Sequence, residues 1–147
     1  MADLTVTPAR LREGEAVLGR RQPTVADESI SRGQLVYRKT NGRVAKARAN
    51  AVGTAKAIGF ATSDANAGDT VEALKEGILF GFDLSSVNPG ATLYLSTATA
   101  GAVQDTKPTG TGNVVFPVGS VQQMTDVNGT KFLYVDISLS ADPVALP

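Results

Sequence analysis

Between Asp69 and Val121, short runs of β-branched, aromatic and apolar residues alternate with glycine-bearing turns, and no helix of ordinary length fits between them. Gly77 precedes Ile78-Leu79-Phe80, Pro89-Gly90 precedes Thr92-Leu93-Tyr94-Leu95, Gly101 precedes Ala102-Val103, and Gly110-Thr111-Gly112 precedes Val114 to Val118. Runs of this kind bounded by turn chemistry specify antiparallel strands. The stretch has an upstream echo. Ile30 to Tyr37 matches Val87 to Tyr94, with Gly33 over Gly90 and Tyr37 over Tyr94. Gly42-Arg43-Val44 then falls near Gly101-Ala102-Val103, and Ala57 to Ala61 near Pro117 to Val121. The offset drifts from 57 to 60 residues, so loops differ in length while strand order is kept. Two units too small to bury their own apolar faces pack into one body. The expected fold is all-β: a small antiparallel β-sandwich or barrel built from two repeated β units, with an extended N-terminal arm.

Local signals divide the chain into an arm (residues 1–26), an antiparallel β domain (27–139) and a tail (140–147) whose two prolines suggest a loose end. Asn41-Gly42 predicts a hairpin of Leu35–Lys39 with Arg43–Ala47, closed by a type I′ turn. From Ala45 to Ala57 the alanines repeat at two rather than 3.6, which favours strand or irregular loop over helix. Thr70–Leu74 and Ile78–Phe82 read as two strands turning at Glu76-Gly77. Lys131 to Leu139 alternates, with Leu133, Val135 and Ile137 on one side and Phe132, Tyr134 and Asp136 on the other.

With aromatic residues at 5% and no Trp, the core must consist of Val, Leu, Ile and Ala, with phenylalanines as the large fillers. The absence of Cys and His removes disulfides, Cys/His zinc sites, and thiol or Ser–His nucleophilic catalysis. No apolar run reaches membrane-spanning length, and Met1-Ala2-Asp3-Leu4 lacks a basic region leading into an apolar stretch, so neither a signal peptide nor a membrane partner is expected. The formal net charge is zero but unevenly placed. Residues 1–56 hold eleven basic side chains against five acids, a net of +6, and the remainder carries −6. That asymmetry suits head-to-tail association.

Several motifs invite chemistry and lose it on inspection. Gly110-Thr111-Gly112-Asn113 lacks the Gly-Lys-Ser/Thr ending of a phosphate loop and leads into a strand, so a hairpin tip is expected. Asp64, Asp69, Glu72 and Glu76 do not follow the spacing of a calcium loop. Arg38, Lys39, Arg43, Lys46 and Arg48 could track a phosphate backbone, but aromatic residues for stacking are scarce beside them. No catalytic, metal or cofactor residues are assigned, and no nucleic-acid partner. The arm carries a different signal. Leu4, Val6, Leu11, Val17 and Leu18 are more apolar than a solvated tail, and Arg10, Arg12, Arg20 and Arg21 surround them. Such an arm gains order only against a surface.

Ala67-Gly68-Asp69-Thr70-Val71-Glu72, Glu76-Gly77-Ile78-Leu79, Pro89 to Ser96, Gly101-Ala102-Val103 and Val118-Gly119 form a series in which a "GD-V" strand pair leads to a "G-x-x-L-Y" strand and then to a "V-G" strand. With it, residues 27–139 resemble the capsid decoration (cement) proteins of tailed bacteriophages. The resemblance implies a structural protein without catalytic residues, sitting as a homotrimer on the outside of an icosahedral head. The arm would then supply contacts to the major capsid protein or a neighbouring subunit, through Leu4, Val6, Arg10, Leu11, Arg12, Val17, Leu18, Arg20 and Arg21. It also implies synthesis in the host cytoplasm and a final place on the capsid exterior. Similar strings occur in phage head-fibre and tail-fibre domains, so a trimeric fibre domain recognising a receptor or glycan is the alternative. Removal of residues 1–24 is expected to leave the β domain folded.

Overall fold

A computed structural model describes residues 3–4, 12–13, 20–124, 129–137 and 142–147, with only the backbone of Arg12 and Glu13. In chain order the elements are β1 (Arg12–Glu13), β2 (Arg20–Val25), β3 (Leu35–Arg38), β4 (Val44–Lys46), α1 (Val52–Ala55), β5 (Ala57–Ala61), β6 (Thr70–Phe80), β7 (Thr92–Leu95), β8 (Val103–Gln104), β9 (Pro117–Gln123) and β10 (Lys131–Asp136). All strand pairs among them are antiparallel, and the sheet curls into a half-barrel.

The internal repeat is visible in the strand order. The first unit runs β4-β3-β5-β6 and the second β8-β7-β9-β10, the two meeting where β6 pairs with β10. Even the irregularities match. Val36 faces Gly59 and Tyr37 faces Ala57, skipping Ile58, while Leu93 faces Gly119 and Tyr94 faces Pro117, skipping Val118. Gly33 N–H donates to the Ala61 carbonyl at 2.8 Å and Gly90 N–H to the Val121 carbonyl at 2.7 Å. The paired glycines have one steric cause. A Cβ on Gly59 would sit 2.7 Å from the Leu74 carbonyl oxygen, and one on Gly119 2.1 Å from that of Tyr134.

Strand β6 organises the body. Both β2 and β5 pair with it at Ala73 and Leu74, so they lie on opposite edges; both β2 and β10 pair at Glu76, so they also lie on opposite edges. It follows that β5 and β10 share one edge of β6, end to end, and the sheet forks between Leu74 and Glu76. Lys75 is the extra residue there, since Arg20 faces Glu76 and Arg21 faces Leu74. A bulge of this kind changes which side chains point inward. Val71 and Ala73 accordingly belong to one apolar cluster and Leu74 and Leu79 to another.

The fork lays one leaf over the other. Leu35, Ala57, Phe60 and Leu74 of the first unit join Leu93, Leu95, Val118, Val121 and Leu133 of the second in one buried cluster, while Val36, Val44, Ile58, Ala61, Val71 and Ala73 form a smaller cluster under Ala26, Ile30 and Ala65. Away from the fork the leaves are tied by main-chain bonds. Ala49 N–H donates to Ser96 O and Ala49 O accepts from Val114 N–H, at 2.9 and 2.8 Å; Gly101 N–H donates to Ala47 O and Gly101 O accepts from Leu35 N–H. Ala47, Ala49, Ala55 and Ala57 are fully buried, and at Ala47 and Ala49, where the main chains bond directly, a small side chain suits the close approach of the two backbones.

Five local expectations need correction. Glu76-Gly77 is no turn: β6 continues through it, with Gly77 at φ 147°, because a strand glycine serves a bulge as readily as a turn. Asn41 does not have positive φ; the Lys39 carbonyl accepts from Gly42 N–H at 3.0 Å and Gly42 alone takes φ 87°, which is a turn followed by a glycine bulge rather than type I′. Within the alanine stretch, Val52–Ala55 forms one helical turn. Gly110–Asn113 is a turn but not a hairpin tip, since β8 and β9 are separated by β7. The tail is not loose along its described length: Leu146 N–H donates to Asn113 O, Leu146 O accepts from Gly112 N–H, and Ala145 bridges Val114.

Candidate interaction surface

The described pieces of the N-terminal segment are all sheet-forming, including residues the sequence assigned to an arm outside the β domain. β2 runs along the outer edge of β6 from Thr70 to Glu76, and β1 continues along that edge opposite Leu79 and Phe80. A long strand with a free edge invites foreign strands. Here β2 covers it, and Pro23 within β2 lacks the N–H with which a further strand would pair. Composition hid this strand: Arg20, Arg21 and Pro23 are poor strand residues, and only Thr24 and Val25 hint at it.

The short outer strands β4 and β8 are also covered from the N-terminal side. On β4, Asp27 N–H donates to Val44 O at 2.8 Å and the Glu28 carboxylate accepts from Lys46 N–H at 3.0 Å. On β8, Leu4 N–H donates to Val103 O at 2.9 Å and Asp3 faces Gln104. Each cover carries an aspartate that grips the preceding strand's end. Asp27 pairs with the Lys39 ammonium, and Asp3 accepts from Ser96 Oγ at 2.6 Å, Lys39 and Ser96 being equivalent in the repeat. The bond from Lys39 holds the Asp27 carboxyl below its ordinary range, and Asp27 in turn raises the Lys39 pKa. Ser96 is fully buried.

Of the arm residues expected to make contacts, Leu4 is half-buried and packs against the main apolar cluster of its own chain. Arg20 and Arg21 are exposed on β2 and reach carboxylates of the same chain, Glu76 at 3.8 Å and Glu72 at 3.6 Å, rather than requiring a neighbour's acids. Arg12 is placed by its backbone alone, opposite Phe80. Val6, Arg10, Leu11, Val17 and Leu18 lie outside the described residues. Asp3 is the contact that sequence reasoning missed. Its signal was the repeat itself, which puts Ser96 where Lys39 holds Asp27.

Four of the five basic residues singled out around the first hairpin are engaged within the chain by their side chains: Arg38 donates to Gly42 O, Lys39 and Lys46 pair with Asp27 and Glu28, and Arg48 Nε donates to Thr97 O at 2.9 Å, while Arg43 is exposed. An open groove of about 540 Å³ lies among Tyr37, Val52, Ile58, Lys56 and Asp142. Its carboxylate is paired: Lys56 Nζ donates to Asp142 at 2.8 Å, which lowers the Asp142 pKa. Among the described residues, no three acids converge as a metal site would require, and no helix is long and apolar enough to cross a membrane. Neither a protein-family profile nor a curated protein matches the chain.

Proposed function

We propose that this chain is a structural virion protein that decorates and stabilises an icosahedral phage capsid, binding the major capsid protein lattice as a homotrimer. The observation that carries the reading is the arm-and-body construction. A duplicated β body is wrapped by N-terminal segments at the β8 edge and along the β6 edge, so the same segment that could reach a neighbour also closes the sheet. The resemblance of residues 27–139 to capsid decoration proteins points the same way. A fibre domain that binds a receptor or glycan would present aromatic residues at its loop tips, whereas Tyr37 and Tyr94 lie half-buried within β3 and β7. The test is sedimentation of the purified chain at micromolar concentration, alone and with capsids lacking a decoration protein. A trimer that co-sediments with capsids is expected; a monomer that leaves them bare would overturn the proposal.

A further inference from the structure

Each unit ends in a two- or three-residue outer strand whose edge needs a cover, and the two edges are covered differently. On β4 the cover is Ala26–Glu28, the segment leading into β3 of the same unit. The equivalent segment before β7, Asp83–Ser85, has been diverted. Leu84 is buried in the main cluster, Asp83 accepts from Ser85 N–H and Oγ–H, and the carbonyls of Leu84 and Val87 both receive the Lys131 ammonium. Its own unit therefore leaves β8 open. The cover comes instead from Asp3–Leu4, with Asp3 93 residues away in sequence from the serine it binds.

The β8 edge is built to receive such a strand. Ser96 Oγ accepts from Ala98 N–H and Thr99 N–H, each at 3.1 Å. A hydroxyl has two acceptor sites and one proton, so with both lone pairs engaged the proton is left for an incoming acceptor. The Asp3 carboxylate takes it, while Leu4 supplies the main-chain bond to Val103 and an apolar contact to the core.

We propose that in the assembled protein this strand is exchanged, so that the β8 edge and Ser96 of one subunit receive Asp3 and Leu4 of a second copy of the chain. The proposal rests on the trimer reading above and names the contact that would hold the trimer together. From Leu4 to Arg12 an extended chain spans about 26–29 Å, enough to cross a boundary between adjacent small subunits. Exchanged and unexchanged strands make identical contacts, and a head-to-tail arrangement that closes leaves every β8 edge filled and every arm used.

Because the natural chain contains no cysteine, cross-linking reads the exchange directly. Chains bearing only D3C, carrying a size tag, are co-expressed with untagged chains bearing only S96C and oxidised with copper phenanthroline. A disulfide between tagged and untagged chains is expected, and the double variant D3C/S96C should give ladders of linked chains on a non-reducing gel. Should the double variant form only an internal disulfide, or none, with no tagged-to-untagged product, the exchange is overturned. Sedimentation of the unmodified chain separates the two claims: a trimer without interchain links removes the exchange alone, and a monomer removes the trimer reading as well.

Discussion

A methyl group added to Gly119 would lie 2.1 Å from the Tyr134 carbonyl oxygen, and one added to Gly59 2.7 Å from that of Leu74, in each case against backbone that cannot rotate away. Gly119→Ala and Gly59→Ala should each cost about 2 kcal/mol or more, Gly119→Ala the larger, measured as the shift in urea unfolding. Gly53→Ala is the control. That position lies inside α1 with nothing within 4 Å and without positive φ, so alanine there should stabilise by about 0.5–1 kcal/mol. The Asp27–Lys39 pair makes a pH prediction. Because the folded carboxyl titrates below its unfolded value, the stability it confers is complete above about pH 4 and is lost as pH falls through the folded pKa. In thermal unfolding followed across that acid range, Asp27→Asn should therefore show a shallower decline than the natural chain. Asp83 and Asp142 are shifted the same way by Ser85 and Lys56, so some decline should persist.

At the level of elements, the outer edge of β6 decides where the chain can be shortened. A cut removing residues 1–24 takes away all of β2 but Val25, exposing that edge and stripping the cover from beside Ala26. A cut removing residues 1–19 spares β2 but removes β1 and the Asp3–Leu4 cover of β8. The shorter deletion should keep a cooperative thermal transition, with a lowered midpoint, and lose arm-dependent assembly, whereas the longer one should aggregate on concentration, as light scattering would show. Much of this layout was legible in the sequence, because a duplicated unit prints its geometry twice. Gly33 with Gly90, Tyr37 with Tyr94 and the Ala57 and Pro117 strands all align as written. What escaped was decided by partners far off in sequence. β2 is a strand because β6 offers it an edge, not because Arg20, Arg21 and Pro23 prefer extension, and Gly77 looked like a turn because a glycine gives the same local signal at a bulge. The Asp3 contact likewise depends on where the fold leaves β8, which no local pattern records.

Considered as a whole, the molecule has one main core shared between leaves that meet at the β6 fork and again where Ala47 and Ala49 bond to the second unit. Phe60 sits in the first leaf and Leu133 in the second, both fully buried in that core. Phe60→Ala should cost about 3–5 kcal/mol and Leu133→Ala about 2–5 kcal/mol, and both should lower a single denaturation transition. Two separable transitions, each sensitive to one variant, would mean that the units fold apart. The alanine tie has a further consequence on the timescale of solvent exchange. The amide hydrogens of Ala49, Gly101 and Val114 are held across the seam between leaves, and none can meet water by fraying of a single strand. They should be the last to exchange for deuterium, at the rate set by unfolding of the entire body, while the amides of β2 go early as that strand lifts from β6.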